Sequence, residues 1–246
     1  MGQLLAVCSG KGGAGKSTVA LWLSRQLAAR SRRVLLVDLD AGLRCLDIML
    51  GVSEQVVFDL GDVLNGRPAQ DAVISIPDCN GLFLLAAPAD EGVYAGKKLE
   101  EFAKLSLPHY DYVIFDLPAG LDSPLYSCFP KCTRFLIVGG FEPVLIRDAR
   151  IIGEKLDNLG FEYSLIINRF DPKQIKRGFV PNLDRIIDTC CCQLIGIVPF
   201  DSHIPMCAIK GKPLKRGHSI TAFERIAARI EGEISPILKP KSIHIR

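Results

Sequence analysis

The chain of 246 residues predicts an α/β fold: a doubly wound, mostly parallel sheet with helices on both faces. Three observations carry that expectation. Continuous apolar runs of strand length recur along the chain, helical patterns lie between them, and turns rich in Gly and Asp join the two. The strand candidates are residues 3–8, 33–38, 82–87, 112–116, 134–138, 163–168 and 194–199. Their unbroken apolar character suits parallel strands covered on both faces, where a one-sided alternation would be absent. Helices are expected at 16–30, 97–104, 147–159, 183–189 and 220–234, giving the alternation that defines an α/β sheet.

Length and composition agree with a packed core. Hydrophobic residues make up 48% of the chain and charged residues 23%, which excludes global disorder. No repeat, low-complexity linker or compositional boundary divides the sequence, so a single domain over 1–246 is expected, with 235–246 as a short basic tail. No apolar run is long enough to cross a bilayer. The first ten residues lack a charged start, an apolar stretch and a cleavage site, so a cytoplasmic location is expected. Nine cysteines, an odd number without paired spacing, read as reduced thiols, and a charge of +3 is too slight to imply nucleic acid by itself.

The chemistry concentrates in the turn after the first strand. Residues 10–17 read Gly-Lys-Gly-Gly-Ala-Gly-Lys-Ser, which fits G-x-x-x-x-G-K-[ST] in full, between an apolar strand and a helix. Glycines let backbone N–H groups close around phosphate oxygens, and the start of a helix attracts negative charge. Gly10, Lys11, Gly12, Gly13, Ala14, Gly15, Lys16, Ser17 and Thr18 are therefore the expected nucleotide loop. Lys16 is expected to bridge the β- and γ-phosphates of ATP and Ser17 to ligate Mg²⁺. Two further apolar strands end in Asp38-Leu39-Asp40 and in Asp116, at the edge where parallel sheets bind ligands. Asp116, together with Asp38, is the candidate for the cation; Asp40 is the candidate for orienting the attacking water.

Lys11 adds a second lysine inside the loop. The pattern K-G-G-x-G-K-S resembles the deviant P-loop of the MinD/ParA ATPase family. Residues 38–51, DLDAGLRCLDIMLG, resemble the first switch of that family's MinD branch, and Asp116-Leu-Pro-Ala-Gly120 resembles its second switch. Ile146-Arg147-Asp148-Ala149, the stretch from Arg169 to Pro172 with Lys176 to Gly178, and Val198-Pro199-Phe200-Asp201 continue the likeness, which spans about residues 3–235. The resemblance implies a weak, partner-stimulated ATPase that dimerises on MgATP, with Lys11 reaching the nucleotide of the second subunit. It implies adenine contacts from Asn168, Pro199 and Asp201, the last largely through backbone. It implies a role in septum placement, partners of the MinC and MinE type, and peripheral contact with anionic membrane at the inner face of the plasma membrane.

The sequence departs from that family in places. Cys45 stands where an Asn is expected, Leu117 where a Ser or Thr is usual, and Phe141-Glu142-Pro143 where a polar residue precedes Pro. These departures bear on hydrolysis rate and partner recognition. Pro236 and Pro240 break the tail where a membrane-seeking amphipathic helix would lie, so membrane binding is expected to be weak. Ile220, Phe223, Ile226, Ile230 and Ile234 have the spacing of a last helix packed on the core.

Other readings remain open on the same fold. A ParA-type partition ATPase would use the basic stretch from Lys210 to His218 on DNA phosphates, and a flagellar-number ATPase would share the first switch. An iron–sulfur carrier is the distant alternative, and Cys128, Cys132 and the run Cys190–Cys192 do not supply its C-x-x-C pair. A binding module that never hydrolyses its nucleotide is the remaining class.

Overall fold

The computed structural model describes residues 2–41, 44–88, 96–121, 123–171, 183–214 and 216–237. Gly42 and Leu43 of the first-switch segment, Pro172 to Gly178, Lys215 of the basic stretch and the tail from Leu238 onward lie outside the described residues.

Eight strands form one sheet: β1 (Gln3–Cys8), β2 (Val34–Asp38), β3 (Ile74–Ser75), β4 (Leu82–Leu85), β5 (Tyr112–Asp116), β6 (Arg134–Gly139), β7 (Glu162–Phe170) and β8 (Leu194–Pro199). Their order is β3-β4-β2-β5-β1-β6-β7-β8. Every described pairing is parallel except that of β3 with β4. The central strands β2 and β5 are buried along their length, as continuous apolar runs require when both faces are covered. The short antiparallel β3 is an addition to the expected strands, and two residues carry too little pattern to be read as one.

Helix α1 (Lys16–Ala29) follows β1, α2 (Leu46–Leu50), α3 (Leu60–Leu64) and α4 (Ala69–Ala72) follow β2, and α5 (Gly96–Ser106) follows β4. Beyond β6 come α6 (Pro143–Leu159), α7 (Leu183–Cys190), α8 (His203–Ile209) and α9 (His218–Ile230). The chain winds from β1 to one side of the sheet and later from β5 to the other. Right-handed crossovers then place α1 on one face and α5, α6 and α7 on the opposite face. The last helix, α9, returns to pack against α1 and β8.

Two expectations about the chain's end are corrected. The last helix starts at His218 and stops at Ile230, where Glu231 caps it and Gly232 turns with φ +84°, so it does not run to residue 234. Ile220, Phe223, Ile226 and Ile230 are buried as the spacing predicts, but Ile234 lies outside the helix and is fully exposed. Arg30 and Arg32 pair with Glu231, tying this end to the loop before β2. Among the described residues no helix is long and apolar enough to cross a membrane.

Candidate active site

β1 delivers its carboxyl end into the loop from Ser9 to Gly15, and α1 leaves it. Backbone geometry explains the glycines individually. Gly13 and Gly15 have φ +81° and +93°, the left-handed region that favours glycine. A Cβ on Gly15 would lie 2.2 Å from Asn168 Nδ2, and one on Gly10 would lie 2.6 Å from the Asp148 Cβ. Nothing stands within 4 Å of a Cβ built on Gly12. Protein packing therefore demands glycine at 10 and 15, and backbone conformation demands it at 13 and 15.

The loop is held from several sides. Ser9 Oγ donates to the Lys11 carbonyl at 2.9 Å, and Asn168 Nδ2 donates to the Ala14 carbonyl at 2.9 Å across 154 residues of sequence. Gly120 N donates to the Ser9 carbonyl at 3.0 Å, so the second-switch segment is fastened to the loop. Asp148 packs beneath Gly10, its carboxylate taking both Nε and Nη2 of Arg147. Sequence reading placed Asp148 in a family-like segment without assigning it a contact; the contact joins residues far apart in the chain and has no local signal.

The first turn of α1 has no side-chain cap and no acidic residue. Its free N–H groups face the space an anion would take. Lys16 is buried at 6% exposure and forms no ion pair among the described residues, whereas Lys11 is exposed on the outside of the same loop. Two lysines in one motif thus occupy different settings. Thr18 and Ser17 are half-buried at the helix start.

β2 and β5 bring Asp38 and Asp116 side by side in register. Asp38 accepts from Asp40 N at 2.9 Å and Leu46 N at 3.3 Å, so it shapes the first-switch loop as well as facing the site. Burial pushes its carboxyl up to about 6 against those two hydrogen bonds. Asp116 is wholly buried, and neither carboxylate oxygen has a hydrogen-bond partner. Burial, then the negative Asp38, pushes it up to about 8, with the nearby Ser17 hydroxyl and Lys16 ammonium pulling the other way. Asp40 is also raised by burial and lowered by Lys16.

An orphaned, fully buried carboxylate beside a Ser hydroxyl, a Lys and a second carboxylate is costly unless a cation completes it. This donor set fits Mg²⁺ with phosphate oxygens and water as its other ligands, since Mg²⁺ takes one or two protein oxygens in such sites. Among the described residues no three His, Cys, Asp or Glu side chains converge as a metal cage. Cys45, just before α2, lies near the Ser17 hydroxyl, and burial pushes its thiol up to about 11 against the influence of that hydroxyl. Its place in the site was not legible beforehand; only its departure from the family pattern was.

At the far side, Pro199 ends β8 and lines, with Asp201, a cavity of about 440 Å³. Asp201 accepts from Ser219 Oγ at 2.5 Å and His203 N at 2.9 Å, and it lies 3.0 Å from His203 Nδ1. Those bonds hold it below the ordinary carboxylate range despite its partial burial, and they engage it in the local turn. Asn168 is placed at the loop, by its bond to Ala14, and not among the residues lining that cavity.

A Gly-rich strand-to-helix loop with a buried lysine and two carboxylates at neighbouring strand ends defines a P-loop nucleotide hydrolase. The chain belongs to the CobQ/CobB/MinD/ParA nucleotide-binding domain family, whose model matches residues 5–214. The septum site-determining protein MinD of Thermotoga maritima is 35% identical, over 96% of this chain and 91% of its own. MinD in the MinC:MinD cell division complex of Aquifex aeolicus superposes with a TM-score of 0.86 at 30% identity, covering 96% of this chain and 98% of that one. MinD of Pyrococcus horikoshii, complexed with Mg-ADP, gives 0.83 at 27% identity over 94% and 96%. The chain is a P-loop ATPase of the MinD type.

Proposed function

We propose that this ATPase binds ATP with Mg²⁺, pairs with a second copy in that state, and acts in the spatial regulation of cell division at the septum. The observation that carries the reading is the split setting of the two loop lysines: Lys16 is buried toward the carboxylates, and Lys11 is exposed on the outer lip of the loop. An internal lysine serves the chain's own phosphates, and an external one is available to a nucleotide held by another subunit. The whole chain serves as one domain, with 235–246 as a basic tail.

The residues divide the work. Backbone N–H groups from Gly10 to Thr18 cradle the phosphates, and Lys16 neutralises charge between the β and γ groups. Ser17 and Asp116, with Asp38 behind them, would hold Mg²⁺, which supplies charge neutralisation on the phosphate oxygens when bound. Asp40 orients the attacking water. Asp38 links the two ends of the first switch through its bonds to Asp40 N and Leu46 N, so a displacement of Asp40 is felt at α2. Pro199 and the backbone at Asp201 border the base in this reading, and Asn168 meets it from the loop side, where it is bonded to Ala14.

The partners in this reading are a MinC-type division regulator, a MinE-type activator, and a weak contact with anionic membrane from the cytoplasmic side. Nucleic acid is the lesser partner, since Lys210, Lys212, Arg216 and His218 could meet phosphates but read no bases. ATP-dependent co-sedimentation of the full chain with anionic vesicles, with random DNA and with a purified MinC-type protein tests the assignment. ATP-dependent capture of the MinC-type protein supports it. ATP-dependent, salt-sensitive binding to DNA with no response to the other two would replace it with a partition ATPase.

A further inference from the structure

At the sheet edge opposite the nucleotide loop, a groove of about 750 Å³ runs between α3, α4 and α5, over the beginning of β2 and the turn before β5. Its floor is apolar, with Leu64 and Phe102 buried in it. Leu105, on the lip, remains 65% exposed, so the groove presents apolar surface to solvent.

Three cations rim this groove: Arg33, Arg67 and Lys98. They are held mainly by neutral groups. The Arg33 guanidinium lies 5.6 Å from the Phe83 ring and 5.7 Å from the Tyr110 ring. That of Arg67 lies 3.4 Å from the Phe58 ring, with Asp71 only at 3.8 Å. Lys98 Nζ donates to Asn65 Oδ1 at 3.2 Å. Among the described residues Glu101 is the one carboxylate in the lining. Aromatic faces and an amide position Arg33 and Lys98 without neutralising them, Asp71 offsets part of the Arg67 charge, and three cations against Asp71 and Glu101 leave the rim net positive over an apolar floor.

We infer that this groove docks an acidic amphipathic helix of a partner protein. A helix laid in a groove uses apolar anchors on one face and leaves its flanks to the rim. Acidic flanks match three cations, and complementarity of that kind sets specificity and encounter rate. Leu105 is 65% exposed at the cavity's lip, and a helix laid along the groove covers its outer side as well. The chain's own tail does not suit the groove, because residues 234–246 carry Lys239, Lys241 and Arg246 and no acidic residue. The groove is remote from Lys16 and Asp116, so its occupation and nucleotide binding can be read separately.

The test uses the full chain with Mg-ADP and a fluorescent designed helix of about 20 residues, long enough to hold its conformation. The helix carries Leu at i, i+3, i+4 and i+7 with Glu on its flanks. A second peptide keeps the Leu pattern and replaces each Glu by Lys, and vesicles of phosphatidylglycerol and phosphatidylcholine form a third arm. Anisotropy should show saturable binding of the acidic helix, weakened about tenfold or more by Lys98→Glu and by Leu105→Ser, and weakened by salt. Nucleotide affinity should be the same in both variants, which checks that they are folded. Equal binding of the two peptides, insensitivity to both variants, or no saturable binding overturns the inference. Vesicle binding that needs Lys98 and Leu105 while the acidic helix does not bind overturns it in favour of a lipid surface.

Discussion

Replacing Asp116 by Asn should stabilise the nucleotide-free protein and abolish its response to the cation. In the folded chain the Asp116 carboxyl is pushed from 3.8 up to about 8 by complete burial and the neighbouring Asp38. The unfolded chain ionises near 3.8 and the folded chain near 8, so folded protein retains a proton that unfolded protein has released. Stability is therefore full below pH 4, falls as pH rises through this window, and levels off above it, by about 1.4 kcal/mol per unit. At pH 7.5 that difference amounts to about 5 kcal/mol of linkage cost. Asn removes the titration but leaves a buried amide short of partners, which costs about 1–3 kcal/mol. The net expectation is a gain of about 2–4 kcal/mol at pH 7.5 with a flattened pH dependence between 6 and 8. Asp38, pushed up to about 6, keeps a similar decline at lower pH in both proteins. Urea unfolding at pH 5, 6.5 and 7.5 without nucleotide measures the slope, and repetition with Mg-ADP measures the stabilisation by ligand. Wild type should gain strongly from Mg-ADP and much less from ADP with a chelator; Asp116→Asn should show little difference between the two. A variant no more stable than wild type at pH 7.5, with the same slope, would refute the argument that this carboxylate waits for a cation.

The other expectations concern single contacts. Lys16→Ala should eliminate MgATP binding by calorimetry, and unchanged affinity would remove Lys16 from the phosphate site. Asp40→Ala should bind nucleotide as wild type does while hydrolysing about 10²–10⁴-fold more slowly, and a wild-type rate of phosphate release would assign the water to another group. Gly211→Ala tests the contact between the α2 and α8 ends, because its Cβ would lie 2.7 Å from Gly51 Cα at a backbone φ of +58°. Gly160→Ala is the control, with φ +70° and nothing within 4 Å of the added carbon. Both changes carry the left-handed penalty, and Gly211→Ala should lose about 1–3 kcal/mol more for the overlap. Equal losses in urea unfolding would mean that the two turns separate freely.

Much of this was legible because it is local. The nucleotide loop is a contiguous motif between a strand and a helix, and β1, β5 and β8 coincide with apolar runs read at the same bounds. The five long helices were located too, and α6 starts earlier than expected because Pro143 sits at its first turn, where a missing N–H costs nothing. The short helices α2, α3, α4 and α8 are not legible, since four to seven residues span at most two turns, too few to establish a repeating apolar face. The overlong reading of the last helix has the same origin. Ile234 keeps the spacing, but a turn at Gly232 ends the helix, and periodicity does not record a reversal of φ. Asp148 under Gly10, Asn168 on Ala14 and Cys45 against Ser17 are contacts between remote segments, which only the fold brings together.

The central claim is that the two loop lysines have different duties, Lys16 within the subunit and Lys11 across to a second one. Light scattering of wild type and Lys11→Ala with MgATP, alongside calorimetry of nucleotide binding, tests it directly. Wild type should double its mass with MgATP and remain a monomer with Mg-ADP. Lys11→Ala should keep nucleotide binding and remain a monomer with either. An ATP-dependent dimer of Lys11→Ala, as stable as the wild-type dimer, would contradict the account.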